Sequence, residues 1–252
     1  MNDAPALRPG ALRPYPCPGG CERWALIDPL SNSARIVDGA GVVLGEYGPG
    51  LFQSPTGLCV TRDFLYVTDP AAAVVWRVDL IDEAIAPLID AQAGLRAPLD
   101  VALAAPDQLL ISDPAAQTLW RWSRCEQKLI AVATGAFGGL AGAAGEASVL
   151  AAVEAGVSRV GAEGGVETLY PISSVTGLAV ASFGALAACA ESDAVWLCAS
   201  YGAAQQRPGP WRAPMAVAVN ERNVALIMQK DGRIWRGGLG GGDWRAWPKP
   251  VR

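Results

Sequence analysis

Residues 55–79, which read PTGLCVTRDFLYVTDPAAAVVWRVD, decide the fold. They contain three apolar runs of four to six residues, separated by short turn-like segments, and no clear 3.6-residue period. Runs of this kind predict β-strands. Residues 98–122, PLDVALAAPDQLLISDPAAQTLWRW, repeat the scheme. An aspartate closes the second run in each copy, and the two aspartates, Asp69 and Asp113, are 44 positions apart. The chain is therefore built from repeats.

Weaker copies of the same scheme extend over the rest of the chain. Repeats open near residues 19, 57, 100, 139, 177 and 216, at intervals of 38 to 43 residues, and several contain a fourth apolar run. Four short strands in about 40 residues are the signature of a propeller blade. The sequence predicts an all-β protein, a six-bladed β-propeller of four-stranded antiparallel blades. Residues 1–18 are predicted as an N-terminal arm and residues 19–252 as a single propeller domain.

The repeats resemble NHL-type propeller blades. In that family a blade reads Pro-x-Gly-Leu/Ile-Ala-Val, then a strand ending in Val-Ala/Thr-Asp, then a strand such as Arg-Val-x-x-Phe. Residues 55–79 match this pattern best and residues 98–122 less closely. Free-standing bacterial propellers of this type resemble modules found beside structural proteins of phage-tail-like and contractile injection particles. The resemblance implies a binding role inside a larger assembly.

Closure of the ring requires that no sheet edge is left open between the first and last blades. Residues 243–247 could form the outer strand of the last blade. Alternatively, residues 6–15 could cross to the last blade and complete it. The sequence leaves both alternatives open.

Charge and hydropathy argue against nucleic acid and membrane as partners. The formal net charge is −4, the pI is about 4.9, and no extended Lys/Arg run occurs. Nucleic-acid binding depends on a positive patch and is disfavoured. The N-terminus lacks the apolar core of a signal peptide, and no stretch is typical of a membrane span. We expect a soluble, cytoplasmic protein with no nucleic-acid or membrane partner.

The six cysteines do not form a disulfide framework. Cys59, Cys189 and Cys198 lie in apolar runs, where a thiol acts as a small buried hydrophobic group. Cys17 and Cys21 flank Pro-Gly-Gly in a polar segment. For this pair we expect two free thiols first, a local disulfide second and a metal-ligand pair third, because zinc needs about four ligands and the chain has no histidine.

An acidic residue follows the second strand of each predicted blade: Asp28, Asp69, Asp113, Glu154, Glu191 and Asp231. In a propeller these turns lie on one rim and would form an acidic ring. A functional ring would bind a cation or a basic partner. The simpler interpretation is that the side chains accept hydrogen bonds from nearby backbone N–H groups and fix the turns. We favour the simpler interpretation.

Tryptophans fall into two groups. Trp76, Trp120, Trp196 and Trp235 repeat in the third strand, and a register repeated in four blades predicts packing between blades. The remaining candidates lie in Pro/Gly-flanked sequence and are predicted as exposed contacts for a partner: Trp211, Trp244 and Trp247.

Catalysis finds little support, because a chain without histidine lacks the commonest general base and the usual Ser–His and Cys–His pairs. We predict no catalytic residue, no metal site and no cofactor. The predicted function is a non-catalytic scaffold for a protein partner. Two alternatives stay open. One is a calcium-dependent, lactonase-like hydrolase, and the other is a propeller that binds a small molecule or glycan in its central channel.

Overall fold

A computed structural model describes residues 11–17, 21–142, 148–182, 184–200, 202–240 and 243–247. Its strands form six four-stranded antiparallel sheets, and each sheet contains four consecutive strands of the chain. The first strands of neighbouring sheets contact one another around a closed ring, from sheet 1 to sheet 6 and back to sheet 1. The predicted six-bladed β-propeller is confirmed.

The first three blades contain the two clearest copies of the repeat. Blade 1 is β1 (Leu12–Pro14), β2 (Arg23–Asp28), β3 (Ser33–Asp38) and β4 (Val43–Tyr47). Blade 2 is β5 (Gly57–Val60), β6 (Phe64–Asp69), β7 (Val74–Asp79) and β8 (Ile85–Ile89). Blade 3 is β9 (Asp100–Ala105), β10 (Gln108–Asp113), β11 (Thr118–Ser123) and β12 (Lys128–Thr134), preceded by a 3-10 turn, Ala91–Ala93.

The second half of the chain keeps the same four-strand order. Blade 4 is β13 (Leu140–Gly142), β14 (Ser148–Val153), β15 (Gly156–Gly161) and β16 (Val166–Tyr170). Blade 5 is β17 (Val175–Ala181), β18 (Gly184–Cys189), β19 (Ala194–Ala199) and β20 (Gln205–Arg207). Blade 6 is β21 (Pro214–Val219), β22 (Val224–Gln229), β23 (Ile234–Gly238) and β24 (Arg245–Trp247).

The core lies between the blades. Each second strand is apolar at consecutive positions because both of its faces are covered by neighbouring blades. In β6, Leu65 and Val67 pack against blade 1, whereas Tyr66 packs against blade 3. The six hydrophobic clusters of the described residues each join two adjacent blades. Blade-to-blade packing therefore stabilises the ring.

The antiparallel order gives the propeller two faces. The face that carries the turns between first and second strands, and between third and fourth strands, is called the lower face. The upper face carries the turns joining second to third strands, together with the connections between blades. The acidic residues that the sequence predicts as a rim therefore lie on the upper face.

The ring closes without exchange of strands. β1 is the inner strand of blade 1 and β24 is the outer strand of blade 6, so the first closure alternative, residues 243–247, is correct. β1 also lies inside the range 1–18, so the propeller starts before residue 19. Leu12 and Trp24 of blade 1 pack with Leu226 and Ile234 of blade 6.

Polar contacts reinforce this closing interface. The Arg236 guanidinium of blade 6 donates to both carboxylate oxygens of Glu22 in blade 1, Nε to Oε1 at 2.8 Å and Nη2 to Oε2 at 2.6 Å. The hydrogen bonds from Arg236 hold the pKa of Glu22 below its usual value, against the opposing effect of burial. Trp247 Nε1 donates to Gly39 O at 2.9 Å. The first and last blades are thus joined by an ion pair, an indole hydrogen bond and a shared hydrophobic cluster.

Candidate functional site

The axis of the propeller is crossed by an ion pair. Arg13, on the inner strand of blade 1, places Nη2 2.8 Å from Asp100 Oδ2 of blade 3 and donates to Leu140 O of blade 4 at 2.8 Å. Blades 1 and 4 stand opposite each other in a six-membered ring. The Arg13 side chain therefore spans the centre of the channel.

Asp100 is fully engaged by its surroundings. Its Oδ2 also accepts from Leu140 N at 2.8 Å, and its Oδ1 accepts from Val101 N at 2.9 Å. Burial raises the pKa of Asp100, and the Arg13 charge opposes that rise. Gly57 approaches so closely that a Cβ there would lie 2.6 Å from Leu99 O. A cation or small molecule on the axis would have to displace this ion pair, so the central channel is a poor candidate site.

The two buried aspartates of the predicted acidic rim fix loops on the upper face. Asp69 accepts from Gln53 N at 2.7 Å, Ser54 N at 3.0 Å and Ala72 N at 3.3 Å. Both Asp69 and Asp113 are completely buried.

Asp113 accepts the corresponding three bonds in blade 3, from Arg96 N at 2.7 Å, Ala97 N at 3.1 Å and Ala116 N at 3.1 Å. The side chains of Asp69 and Asp113 anchor the connections that enter their blades. Their geometry agrees with the structural interpretation of the acidic residues.

The six acidic residues are not structurally equivalent. The last residue of the second strand is Asp28, Asp69, Asp113, Val153, Cys189 and Gln229 in blades 1 to 6. Glu154, Glu191 and Asp231 instead follow the strand and are exposed. The sequence grouped these residues with the three aspartates because the exact end of each strand is not visible without the strand register. A residue one or two positions beyond the strand end then looks equivalent to its last residue. The six acidic residues therefore share the upper face but not one structural position, and a cation-binding or partner-binding acidic ring stays a prediction.

The three tryptophans predicted as exposed contacts pack into the propeller instead. Trp211 is 4% exposed and Trp247 is 5% exposed. Trp211 lies edge-on to Trp244, with ring centroids 4.9 Å apart, in the cluster between blades 5 and 6. The expected exposure of Trp211 and Trp247 is wrong because their rings fill gaps beside the last blade. A partner-binding role for the half-buried Trp244 stays a prediction.

The N-terminal cysteines border a cleft on the lower face. Cys17 and Cys21 form a disulfide, with Cα atoms 5.6 Å apart, so the expectation of two free thiols was wrong. The cleft has a volume of about 490 Å³ and lies between blades 1 and 2. Its other lining residues are Tyr15, Pro16, Arg23, Arg62, Asp63 and Ile81.

The chemistry of this cleft combines apolar and cationic groups. Ile81, in the turn between β7 and β8, is 80% exposed. Tyr15 donates through its hydroxyl to Arg62 O at 3.3 Å, which links blade 1 to blade 2 at the cleft. Within the described residues, the guanidinium groups of Arg23 and Arg62 form no ion pair. We call the lower face of blades 1 to 3 around this cleft the arginine face.

The arginine face was missed at the sequence level because its residues lie in turns. Arg62 and Ile81 occupy segments between strands, where the blade repeat leaves no pattern to compare. A lone exposed isoleucine between Leu80 and Asp82 was the one available signal.

The described residues offer little to a metal ion. No group of three or more His, Cys, Asp or Glu side chains in the described part of the chain is placed to hold one. Among the residues that the structure describes, no helix is long and apolar enough to span a bilayer.

Comparisons with known proteins bear on the fold. No protein-family model and no curated protein sequence matches the chain. Virginiamycin B lyase from Staphylococcus aureus superposes with a TM-score of 0.69 at 11% identity, over 96% of this chain and 85% of that chain. The structure of its catalytically inactive histidine-to-alanine variant with quinupristin superposes with a TM-score of 0.69 at 13% identity, over 99% of this chain and 87% of that chain.

Other solved structures of different function are equally similar. A putative gluconolactonase superposes with a TM-score of 0.70 at 16% identity, over 96% of this chain and 92% of that chain. A chain of a nidogen/laminin complex superposes with a TM-score of 0.66 at 13% identity, over 86% of this chain and 86% of that chain. Because these identities are low and the functions differ, what this chain shares with them is the six-bladed β-propeller fold. That fold is consistent with the resemblance of its blades to the NHL type.

Proposed function

We propose that this chain is a non-catalytic propeller scaffold that binds a protein partner through the arginine face. The observation that carries the proposal is the 490 Å³ cleft beside Ile81, a large apolar side chain that is 80% exposed. Apolar groups with a polar, partly cationic border are typical of protein-binding surfaces. The NHL-type resemblance extends the proposal to a component of a larger assembly, such as a phage-tail-like or contractile injection particle.

The chemistry of the chain supports binding over catalysis. The chain has no histidine, whereas a virginiamycin B lyase with one histidine replaced by alanine is described as catalytically inactive. The buried carboxylate nearest the axis, Asp100, is neutralised by Arg13 and held by two backbone amides. Neither the calcium-dependent hydrolase nor the channel binder is favoured by a specific contact.

The proposal is tested by capture of the partner with the intact chain and two matched variants. Ile81→Glu places a charge in the centre of the arginine face, while Leu30→Glu makes the same change on the upper face, where Leu30 is 54% exposed. We expect native mass spectrometry to find one stoichiometric partner with the wild type and Leu30→Glu, and none with Ile81→Glu. Equal capture by all three proteins contradicts the proposal.

A parallel sample with EDTA tests the hydrolase alternative. Scaffold binding through the arginine face predicts the same complex with and without the chelator. A monomer that loses one calcium mass on EDTA treatment would instead support the hydrolase and require trials with lactone and ester substrates.

A further inference from the structure

One position of the third strand carries arginine in four blades. It lies opposite the third residue of the second strand and is occupied by Arg77, Arg121, Arg159 and Arg236. From this position, Arg77, Arg121 and Arg236 reach into the gap before the next blade, near the lower face. The four arginines can therefore be compared as four copies of one site.

Three of the four arginines are paired with a glutamate. Arg121 Nη1 lies 2.5 Å from Glu163 Oε1 in the next blade, and Arg236 pairs with Glu22 in the next blade. Arg159 approaches Glu167 of its own blade at 3.8 Å. An arginine at this position therefore usually pairs with a glutamate of its own blade or of the next blade.

Arg77 is the exception. Its guanidinium carbon lies 5.4 Å from the centroid of the Phe64 ring, and that of Arg124 from blade 3 lies 5.5 Å from the same centroid. The two guanidinium carbons are therefore no more than about 11 Å apart, which is close to the Debye length of about 10 Å at 0.1 M salt. Within the described residues, neither guanidinium forms an ion pair or a hydrogen bond. A second cation occupies the turn in which blade 4 has Glu163.

Two neighbouring carboxylates are engaged elsewhere. Asp79 accepts from the backbone of its own turn, at Ile81 N, and Asp107 accepts from Cys125 Sγ at 3.3 Å. Both arginines also act on the buried phenol of Tyr66, where burial raises the pKa and the two positive charges oppose that rise. Phe64, Tyr66, Arg77 and Arg124 thus form one cluster with two cations, and within the described residues no carboxylate forms an ion pair with either of them.

We propose that the gap between blades 2 and 3 binds the carboxylate side chain of an acidic segment in the partner protein, held between Arg77 and Arg124 over Phe64. The inference rests on the proposed function and names the partner's chemistry. The partner's carboxylate takes the place that Glu163 fills beside Arg121 and that Glu22 fills beside Arg236.

The binding test uses a fluorescein-labelled decaglutamate peptide and fluorescence anisotropy at low salt. We expect Arg77→Gln together with Arg124→Gln to weaken binding at least about tenfold, the loss of one or two charge-assisted contacts. Arg96→Gln removes an exposed charge on the upper face and is expected to leave the affinity unchanged. Equal weakening by Arg96→Gln would mean a non-specific charge effect and would overturn the site.

A second variant tests the site without a ligand. Arg124→Glu places a carboxylate in the turn that faces Arg77, as Glu163 faces Arg121. We expect its thermal midpoint to rise by about 1–3 °C at low salt, less at high salt, and its peptide binding to be lost. A lower midpoint combined with retained binding would show that Arg77 and Arg124 do not share an anion site.

Two further outcomes separate this site from the scaffold function. Unlabelled peptide in tenfold excess should displace the labelled peptide. If inorganic phosphate at the same concentration displaced it equally, the assignment to an acidic protein segment would be overturned. Partner capture that is lost with Ile81→Glu but unchanged in the double Arg77→Gln, Arg124→Gln variant would overturn this site and leave the scaffold function standing.

Discussion

Blades 2 and 3 fix their entering connections in a different way from blade 5. In blades 2 and 3 a completely buried aspartate, Asp69 or Asp113, accepts three backbone hydrogen bonds. In blade 5 the same position is Cys189, whose thiol pKa is raised by burial to about 11 and which remains a neutral apolar group at physiological pH. Glu191 reaches the entering connection from the exposed turn instead, through Ser174 Oγ at 2.5 Å.

The difference is one of environment as well as sequence. A buried carboxylate that accepts from three amides cannot be removed without leaving at least two of them unpaired, whereas water can replace an exposed carboxylate. Blade 6 stands between the two cases, because Gln229 is buried but neutral and accepts from Arg212 N at 3.0 Å and Trp235 Nε1 at 2.7 Å. The same fold thus tolerates anchors of very different strength.

The largest expected effect is from Asp113→Ala. It leaves the amides of Arg96 and Ala97 without their acceptor and leaves Ala116 N with only the backbone carbonyl of residue 113. We expect the free energy of unfolding to fall by about 3 kcal/mol. Urea denaturation followed by tryptophan fluorescence measures it. Asp113→Asn keeps one acceptor and should lose less. A loss below about 0.5 kcal/mol for Asp113→Ala would mean that the aspartate does not anchor the connection.

Gln229→Ala should have an intermediate effect. It removes the acceptor of one backbone amide and one indole N–H, and we expect a loss of about 1.5 kcal/mol. Trp235→Phe serves as the control, since the second loss should be smaller when the indole N–H is already absent. Additive losses in this double-mutant cycle would contradict the hydrogen bond between Gln229 and Trp235.

Glu22→Gln tests the closing interface, which has no aspartate anchor. We expect a loss of about 1 kcal/mol at neutral pH, because a partly buried, two-point ion pair with Arg236 is broken. The folded-state pKa of Glu22 is lowered, so its contribution is present above the usual value near 4.5 and is lost as the pH falls through the folded-state pKa. Wild-type stability should fall more steeply on acidification than that of Glu22→Gln. Parallel pH curves would exclude this role.

The smallest expected effect is from Glu191→Gln in blade 5. Its carboxylate is exposed and bonds to the hydroxyl of Ser174, so we expect a change below about 0.5 kcal/mol. Comparison with Asp113→Asn, the same chemical change at a buried anchor, isolates the contribution of burial. Equal losses at the two positions would remove the distinction drawn between the blades.

The architecture was predictable because it depends on strand-length apolar runs repeated along the chain. Residues 55–79 and 98–122 contain the three runs and the closing aspartate, and the register between strands follows from them. The bonds from Asp69 and Asp113 to their own turns, at Ala72 N and Ala116 N, are of the kind that an aspartate before proline predicts. Their bonds to the entering connections were not predicted, because those amides lie 15 to 17 residues earlier in the chain.

The arginine face was not predictable for the opposite reason. Phe64 and Arg77 belong to blade 2 and Arg124 belongs to blade 3, so their proximity depends on the angle between blades. Trp211 and Trp247 were misplaced for the same reason, because the gaps that bury them form only when the last blade meets its two neighbours. Contacts between repeats leave no pattern within a repeat.

The closing interface also has a mechanical consequence. Five of the six junctions around the ring are spanned by the polypeptide itself, whereas blades 6 and 1 are joined, among the residues that the structure describes, by non-covalent contacts alone. Under tension this non-covalent junction should therefore separate before the five junctions that the backbone spans. Because every blade is complete in itself, opening would expose two whole sheet faces and unravel neither, and hydrogen exchange should detect it as a loss of protection in β1 and β24 ahead of the other strands.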